Sequence, residues 1–289
     1  MVTTTYPIAG RTVSRVGYGA MQLPGPGVFG PPRDRDEALA VLRRAVERGV
    51  NHIDTAQFYG PDVSNELIRT ALAPYPDDLV IVTKIGARRD DRGDWLPAQT
   101  PKELRASVED NLHALGLERL DAVNLRLHGD DGPMAEAPEV PLDDQMAEMI
   151  ALRDEGKIAS IGISTAPLDQ VKAVTTEITC VQNPYSLLDR HDEDVLDHCT
   201  QAGIAYVPYF PLGSAFPQMP KVTDDPAVQA VASRHGATPA QIGLAWLLAR
   251  AQNVLLIPGT SSRAHLDENL AAADVTLTDD DLAELTASR

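Results

Sequence analysis

The sequence predicts an α/β fold, a single (β/α)8 barrel of the TIM type formed by residues 1–289. Short apolar runs bounded by Gly, Pro, Asn or Asp recur along the chain, and stretches with helical period separate most of them. Eight such runs are present, and strands that alternate with helices on this scale are typical of parallel βαβ units. The length of 289 residues also suits one barrel, which commonly has about 250.

The strands and several helix starts follow from local patterns. Capping boxes with proline at the first helical position begin two helices, at Thr100-Pro101-Lys102-Glu103 and at Thr238-Pro239-Ala240-Gln241. Thr278 with Asp281 resembles a third cap near the C-terminus. The predicted strands are Arg15–Ala20, Val50–Thr55, Leu79–Ile85, Ala122–Leu127, Ser160–Thr165, Cys180–Asn183, Ala205–Tyr209 and Val254–Pro258.

A doubly wound open sheet is the structural alternative to the barrel. It needs a glycine-rich dinucleotide turn after its first strand, and Gly17-Tyr18-Gly19-Ala20-Met21 lacks the full G-x-G-x-x-G pattern. No linker rich in Pro, Gly or Ser divides the chain into two domains. We interpret Pro24–Pro32 and Gly129–Pro141 as long loops, which in a barrel contribute to the active site, or alternatively as plain surface insertions.

Composition excludes several classes of function. The net charge of −17 argues against a nucleic-acid surface, which needs clustered Lys and Arg. No apolar run approaches the roughly 18 residues of a membrane span, and residues 1–15 lack the apolar region of a signal peptide. Cys180 and Cys199 lack metal-ligand spacing and are interpreted as core residues. We therefore expect a cytoplasmic protein that binds small molecules and no metal; its oligomeric state is not predicted.

Three polar residues near two predicted strand ends are the first candidates for catalysis. Lys84 lies within an otherwise apolar strand, where an unpaired ammonium is costly, and Asp54 at the end of a neighbouring strand is its expected partner. A lysine beside Tyr59 would lower the phenol pKa from about 10 towards neutrality, which would make Tyr59 a proton donor and acceptor. Each residue taken singly also has a structural interpretation that involves no catalysis. Asp54 would be a turn or cap residue, Tyr59 an ordinary aromatic residue of a loop, and Lys84 a surface lysine on an edge strand.

The strand Ala122–Leu127 adds a fourth candidate. Its alternation places Asn124, Arg126 and His128 on the face that points into the barrel, with apolar residues on the other face. We favour Arg126 as the fourth catalytic residue and keep His128 as the alternative. Because arginine stays charged, Arg126 would stabilise negative charge that develops on a carbonyl oxygen or bind an acidic substituent of the substrate. The other interpretation is that Arg126 forms a structural ion pair inside the barrel.

Polar residues at the ends of later strands indicate a cofactor site. Hydroxyl and amide groups at Ser164-Thr165 and Gln182-Asn183 suit the paired hydrogen bonds that orient a carboxamide. After the last strand, the small residues Gly259 to Ser262 precede a helix and leave backbone N–H groups for a phosphate.

The segment Gly49 to Gly60, followed by Asn65-Glu66 and Val82-Thr83-Lys84, resembles the signature of the aldo-keto reductases. The resemblance extends from about Arg15 to Asn269 and implies a (β/α)8 barrel in which Asp54, Tyr59 and Lys84 are catalytic. The family usually has a histidine where this chain has Arg126.

The resemblance also implies a nicotinamide cofactor, and we expect NADPH rather than NADH. Thr165 replaces the usual asparagine, Tyr209 takes the place of the aromatic residue that stacks on the nicotinamide, and Gly259 and His265 replace the basic residues for the ribose phosphate. Arg263 is the expected substitute for them. The implied cofactor contacts are Gly19, Ala20, Met21, Ser164, Thr165, Gln182, Tyr209, Leu212, Gly213, Pro258, Gly259, Thr260, Ser261, Ser262, Arg263, His265, Glu268 and Asn269.

Finer motifs are similar to a bacterial subgroup of the family that reduces pyridoxal. They include Gly27-Val28-Phe29-Gly30-Pro31-Pro32-Arg33 and Val123-Asn124-Leu125-Arg126. This resemblance implies NADPH-dependent reduction of pyridoxal to pyridoxine in vitamin B6 salvage, with His128 and Phe29 as candidate substrate contacts. A broad-range aldehyde or ketone reductase and, less favoured, a nicotinamide-binding regulatory subunit are the alternatives.

Overall fold

A parallel sheet forms the centre of the computed structural model, which describes residues 4–127, 140–213 and 220–287. Within these residues the sheet has seven strands in the order β11-β10-β9-β8-β5-β4-β3, and two antiparallel hairpins, β1-β2 and β6-β7, lie outside it. The strands are β1 (Thr5–Ile8), β2 (Arg11–Ser14), β3 (Tyr18–Gly19), β4 (His52–Asp54), β5 (Val80–Ile85), β6 (Ala87–Arg89), β7 (Trp95–Pro97), β8 (Ala122–Arg126), β9 (Ile161–Ser164), β10 (Ile178–Gln182) and β11 (Ala205–Tyr206).

The last predicted strand closes this sheet into a barrel. Val254 forms a parallel bridge with Tyr206 at one edge of the sheet, while Leu256 and Gly259 bridge Val16 and Gly19 at the other edge. The predicted (β/α)8 barrel is thereby confirmed, although Val254–Pro258 contributes isolated bridges rather than a continuous strand. A Cβ atom on Gly19 would lie 2.4 Å from the carbonyl oxygen of Ile257, so the close approach of the two runs requires glycine there.

Helices surround the barrel, and the predicted caps are present. The capping boxes at Thr100 and Thr238 are formed, and Asp281 accepts hydrogen bonds from the backbone N–H and hydroxyl of Thr278. The α-helices of the described residues are α1 (Arg35–Glu47), α2 (Val63–Leu72), α3 (Pro101–Leu115), α4 (Leu142–Asp154), α5 (Leu168–Val174), α6 (Glu193–Ala202), α7 (Pro226–His235), α8 (Pro239–Arg250), α9 (Arg263–Leu270) and α10 (Asp279–Ala287). None of them has the length and apolarity needed to cross a membrane.

The hairpin β1-β2, which the sequence analysis did not predict, covers the N-terminal end of the barrel. Its residues Ile8 and Val13 are buried in one apolar cluster with barrel residues such as Val80. Just beyond the hairpin, the buried Arg15 donates hydrogen bonds to the carbonyl oxygens of Val254, Leu248 and Ala251, at 3.0, 2.8 and 2.5 Å. Arg15 therefore ties the start of the first barrel run to the C-terminal end of α8 and to the last run.

The hairpin β6-β7, also not predicted, stands at the opposite end of the barrel, directly after β5. Arg89 anchors it by donating hydrogen bonds to the carbonyl oxygens of Gly93, Val28 and Gly27, at 2.9, 3.2 and 3.0 Å. The same guanidinium lies 4.3 Å from the ring centroid of Trp95. The hairpin therefore holds an indole ring at the C-terminal ends of the strands, where barrel enzymes carry their active sites.

The two cysteines are free and buried, as predicted.

Candidate active site

A buried ion pair lies at the C-terminal ends of β4 and β5. The Lys84 ammonium donates a hydrogen bond to Asp54 Oδ1 and a second one, at 2.9 Å, to the carbonyl oxygen of Thr55. Both charged side chains are about 95% buried, with 5% of Lys84 and 4% of Asp54 exposed. Burial alone would lower the pKa of Lys84, but the Asp54 carboxylate and Tyr59 hold it above its usual value, so Lys84 stays charged. The predicted pairing of Lys84 with Asp54 is confirmed.

A buried polar network on the outer side of these strands holds the backbone that carries the pair. Asn111 Oδ1 accepts hydrogen bonds from Thr83 Oγ1 at 2.6 Å and from Asn65 Nδ2 at 2.9 Å. Asn65 Oδ1 in turn accepts from Thr55 Oγ1 at 2.8 Å. Because Thr55 follows Asp54 and Thr83 precedes Lys84, helices α2 and α3 fix the strand ends that present the two charges.

Tyr59 lies beside Lys84 in the loop after β4. The Lys84 Nζ atom is 5.1 Å from the centroid of the phenol ring, and only 6% of Tyr59 is exposed. Gly60 follows at φ 109°, and a Cβ atom there would lie 2.3 Å from Val63 Cβ, so the tight path of this loop needs glycine.

The expected lowering of the Tyr59 pKa is wrong in direction. Burial raises the pKa of Tyr59 above its ordinary value, and the nearby positive charge of Lys84 only partly offsets this effect. Tyr59 therefore keeps its proton at neutral pH, while Lys84 is placed to stabilise the phenolate that forms when the proton leaves.

A second titratable group lies deeper in the barrel. His52, two residues before Asp54 in β4, is fully buried, and burial lowers its pKa to about 4. His52 is therefore neutral at neutral pH.

Arg126, at the end of β8, shares one level of the barrel with two of the predicted cofactor residues. The strand register pairs Arg126 with Ser164 and Ser164 with Gln182. The Arg126 guanidinium lies 5.7 Å from the ring centroid of Trp95, and its Nε atom is buried without a hydrogen-bond partner among the described residues. A guanidinium thus lines the site close enough to Tyr59 to affect its pKa.

These side chains line one cavity of about 870 Å³. It extends from Asp54, Tyr59, Lys84 and Arg126 to residues of α9. The predicted cofactor residues on its wall are Gly19, Met21, Ser164, Thr165, Gln182, Tyr209, Leu212, Gly213, Pro258, Gly259, Thr260, His265, Glu268 and Asn269. Residues far apart in sequence are therefore brought to one continuous surface.

Five other predicted contacts are not on the wall of the cavity within the described part of the chain. They are Ala20, Ser261, Ser262, Arg263 and Phe29. The Phe29 ring instead packs on Arg89, whose guanidinium lies 5.4 Å from the ring centroid. His128 lies outside the described residues, so the alternative to Arg126 stays a prediction.

Arg263 forms an ion pair with an acidic residue of another helix. Glu37, on α1, accepts hydrogen bonds from the Arg263 backbone N–H at 3.3 Å and from Nε at 3.2 Å, and its other oxygen lies 3.0 Å from Nη2. A carboxylate thus pairs with the guanidinium expected to bind the ribose phosphate and lies at the N-terminus of α9.

Several wall residues were missed by sequence reasoning. Trp95 reaches the cavity through the unpredicted hairpin β6-β7, and Lys221 reaches it from a loop, with its Cα close to Gly213. No local pattern marks either residue, although a lone lysine after the Tyr209 loop was a possible signal for an anion site. The other missed residues are Gln22, Phe210, Pro211, Thr223, Ala240 and Ile257.

Comparison with known proteins identifies the family to which this barrel belongs. A model of the Aldo/keto reductase family matches residues 15–289, and the chain belongs to this family. It is 49% identical over 288 residues to pyridoxine 4-dehydrogenase of Escherichia coli strain K12, covering 99% of this chain and 98% of the relative. It is also 38% identical to an uncharacterized oxidoreductase of Schizosaccharomyces pombe, covering 97% and 88%.

Solved structures of similar proteins show the same fold. An aldo/keto reductase from Klebsiella pneumoniae in complex with NADP and acetate matches with a TM-score of 0.83 and 26% identity, over 99% of this chain and 95% of that chain. The thermostable aldo-keto reductase Tm1743 in complex with the inhibitor epalrestat matches with a TM-score of 0.82 and 28% identity, over 99% of both chains.

Proposed function

We propose that this protein reduces an aldehyde with NADPH and that its substrate is pyridoxal, which it converts to pyridoxine. The observation that carries this proposal is the buried Lys84–Asp54 pair beside Tyr59, on the wall of a cavity that also contains Arg126. The similarity to pyridoxine 4-dehydrogenase supports the choice of substrate, and the NADP-bound relative supports the choice of cofactor.

The residues of the cavity fit a nicotinamide dinucleotide. The volume of about 870 Å³ is within the range of roughly 300–1,000 Å³ for ligand pockets. Ser164, Thr165 and Gln182 would orient the carboxamide, and Tyr209 would pack on the ring. At the far end, Lys221 and His265 are the basic side chains on the wall among the described residues, and we assign the cofactor phosphates to them rather than to Arg263.

Catalysis requires the transfer of a hydride and a proton. When bound, the reduced nicotinamide supplies the hydride to the aldehyde carbon. Tyr59, protonated at neutral pH, donates its proton to the aldehyde oxygen. Lys84 stabilises the resulting phenolate, and Asp54 keeps Lys84 charged in this buried position. In the oxidative direction, the phenolate accepts the proton of the alcohol.

Arg126 would select the substrate. Pyridoxal carries a ring hydroxyl next to its aldehyde, and this hydroxyl ionises readily. The Arg126 guanidinium, on the wall of the cavity, would donate hydrogen bonds to that oxygen. The Trp95 ring beside Arg126 would pack on the flat pyridine ring.

The test is the loss of reduced-nicotinamide absorbance when the purified protein meets NADPH and pyridoxal, compared with NADH and with benzaldehyde. We expect fast oxidation of NADPH with pyridoxal and slow oxidation in the other three pairings. Equal turnover of benzaldehyde would indicate a broad-range reductase instead. Tight NADPH binding without turnover of either aldehyde would refute the proposed enzymatic activity and favour a regulatory subunit.

Salicylaldehyde and 4-hydroxybenzaldehyde then test the role of Arg126. They differ only in the position of the hydroxyl, so Arg126→Met should remove a preference for salicylaldehyde. A preference that survives the substitution would remove Arg126 from substrate recognition.

The single-domain organisation, cytoplasmic location and absence of nucleic-acid partners stay predictions.

A further inference from the structure

Gln182 makes a contact that carboxamide binding does not account for. Its Nε2 atom donates a hydrogen bond, 2.9 Å long, to Asp54 Oδ2, the carboxylate oxygen that Lys84 does not use. An ionised carboxylate can only accept, so the amide nitrogen of Gln182 must face Asp54 and its carbonyl oxygen must face away. The orientation of Gln182 is thus set by the buried carboxylate.

The carbonyl side of Gln182 meets a second buried amide. Asn124 Nδ2 donates to Gln182 Oε1 at 3.4 Å, and Asn124 Oδ1 accepts from the Cys180 thiol at 3.2 Å. Each donor in this series faces an acceptor, and Gln182, Asn124 and Cys180 are fully buried. The glycine at position 162 leaves space for the Asn124 side chain, because a Cβ atom on Gly162 would lie 2.0 Å from Asn124 Oδ1.

Asn124 lies one level below the cavity. The strand register pairs it with Lys84 on one side and Gly162 on the other, and Asn124 is not among the residues on the cavity wall. A bound molecule in the cavity would contact Gln182 but not Asn124. Its hydrogen bond to Gln182 therefore connects Asn124 to the cavity wall.

We propose that Gln182 and Asn124 are positioning residues that hold the Asp54 carboxylate in the orientation that keeps Lys84 beside Tyr59. Asp54 has two oxygens and two side-chain donors, Lys84 and Gln182, so loss of the Gln182 bond leaves the carboxylate free to rotate about its Cβ–Cγ bond. Rotation moves the Lys84 ammonium relative to the phenol. The inference rests on the proposed function and extends it to residues behind the cavity wall.

The experiment compares Gln182→Met, Asn124→Asp and the double variant with the wild type. Gln182→Met keeps the side-chain size and removes the donor, and Asn124→Asp keeps the acceptor for Cys180 but removes the donor to Gln182. Asn253→Asp is the matched control: it makes the same change of residue type at a buried asparagine away from the cavity wall, whose Nδ2 donates to Ile204 O at 2.8 Å and whose Oδ1 accepts from Thr200 Oγ1 at 2.9 Å. The measurements are kcat with pyridoxal and the Kd of NADPH from its fluorescence.

We expect kcat to fall by about 10- to 100-fold in both single variants, since small displacements of a catalytic group have effects of this order. The Kd of NADPH should stay unchanged in Asn124→Asp, and Asn253→Asp should resemble the wild type in both measurements. The double variant should be no slower than Gln182→Met, because Asn124 acts through Gln182.

Wild-type kcat in Asn124→Asp, or independent, multiplying losses in the double variant, would overturn the proposal. If Asn124→Asp does not fold, Asn124→Ser takes its place with the same expected result. If the wild type shows no aldehyde turnover, the proposed function fails separately, and crystal structures of the wild type and Gln182→Met decide the positioning role. An Asp54 carboxylate rotated away from Lys84 in Gln182→Met supports it, and an unmoved one overturns it.

Discussion

Asp54→Asn should destabilise the protein because it leaves Lys84 buried without a counter-charge. Lys84 has 5% of its side chain exposed, and its other partners, the carbonyl oxygen of Thr55 and the Tyr59 phenol, are uncharged. The simplest escape is loss of its proton, which costs about 1.4 kcal/mol for each pH unit below the ordinary lysine pKa, or about 5 kcal/mol at pH 7. This upper bound agrees with the roughly 3–5 kcal/mol measured when one partner of a buried pair is removed.

The loss translates into a measurable change of melting temperature. An unfolding entropy of about 2 cal/mol/K per residue gives about 0.6 kcal/mol/K for 289 residues, so Tm should fall by roughly 5–8 °C at pH 7. Differential scanning calorimetry, or urea unfolding where heating is irreversible, measures the effect.

The defect should shrink as the pH rises. In the wild type, the raised pKa of Lys84 means that the pair contributes stability below the ordinary lysine pKa and loses it as the pH rises through the folded value. In Asp54→Asn, the unfolded state binds the proton that the folded state has lost, so stability of the variant rises with pH relative to the wild type. At pH 9 the difference should be about 2 kcal/mol.

A double substitution supplies the control. Lys84→Met with Asp54→Leu removes both charges and should recover most of the stability but no activity, because a buried ion pair replaced by apolar side chains is often neutral. A Tm of Asp54→Asn within 1 °C of the wild type, or a defect that does not depend on pH, would refute the reasoning.

Four further substitutions test other parts of the structure. Tyr59→Phe should lower kcat by about 10²- to 10⁴-fold, the usual contribution of a general acid, while the Kd of NADPH stays the same; unchanged turnover would remove Tyr59 from catalysis. Lys221→Gln should raise the Kd of NADPH more than the Kd of NADH. Arg263→Gln should change both dissociation constants little, because the Arg263 guanidinium is paired with Glu37. A larger effect of Arg263→Gln than of Lys221→Gln on the Kd of NADPH would assign the phosphate to Arg263. Arg15→Met should destabilise the protein by about 3 kcal/mol in urea unfolding, because it leaves buried carbonyl oxygens unsatisfied, and a loss below about 1 kcal/mol would contradict that account.

The sequence by itself determined the barrel and the central part of the site. Capping boxes at Thr100 and Thr238 are interactions between residues three positions apart, so they are visible in the chain. The pairing of Lys84 with Asp54 was also predictable, because an ammonium within an apolar strand needs a nearby acid and parallel strands end at the same edge.

Tertiary structure alone decided the contacts between distant parts of the chain. The hairpins β1-β2 and β6-β7 have strands of only three or four residues, too short for alternation to identify them, and one of them brings Trp95 to the cavity. Glu37 and Arg263 are 226 positions apart, and no local pattern couples them. The same holds for Gln182 and Asp54, which are 128 positions apart.

The pKa of Tyr59 shows why the sequence was insufficient at the site itself. Sequence reasoning identified Lys84 as a neighbour that lowers it, but the net shift is a balance between that charge and the burial of the phenol. The neighbouring charge was inferred from residue order. The degree of burial depends on how the whole barrel packs around Tyr59, which only the folded structure determines.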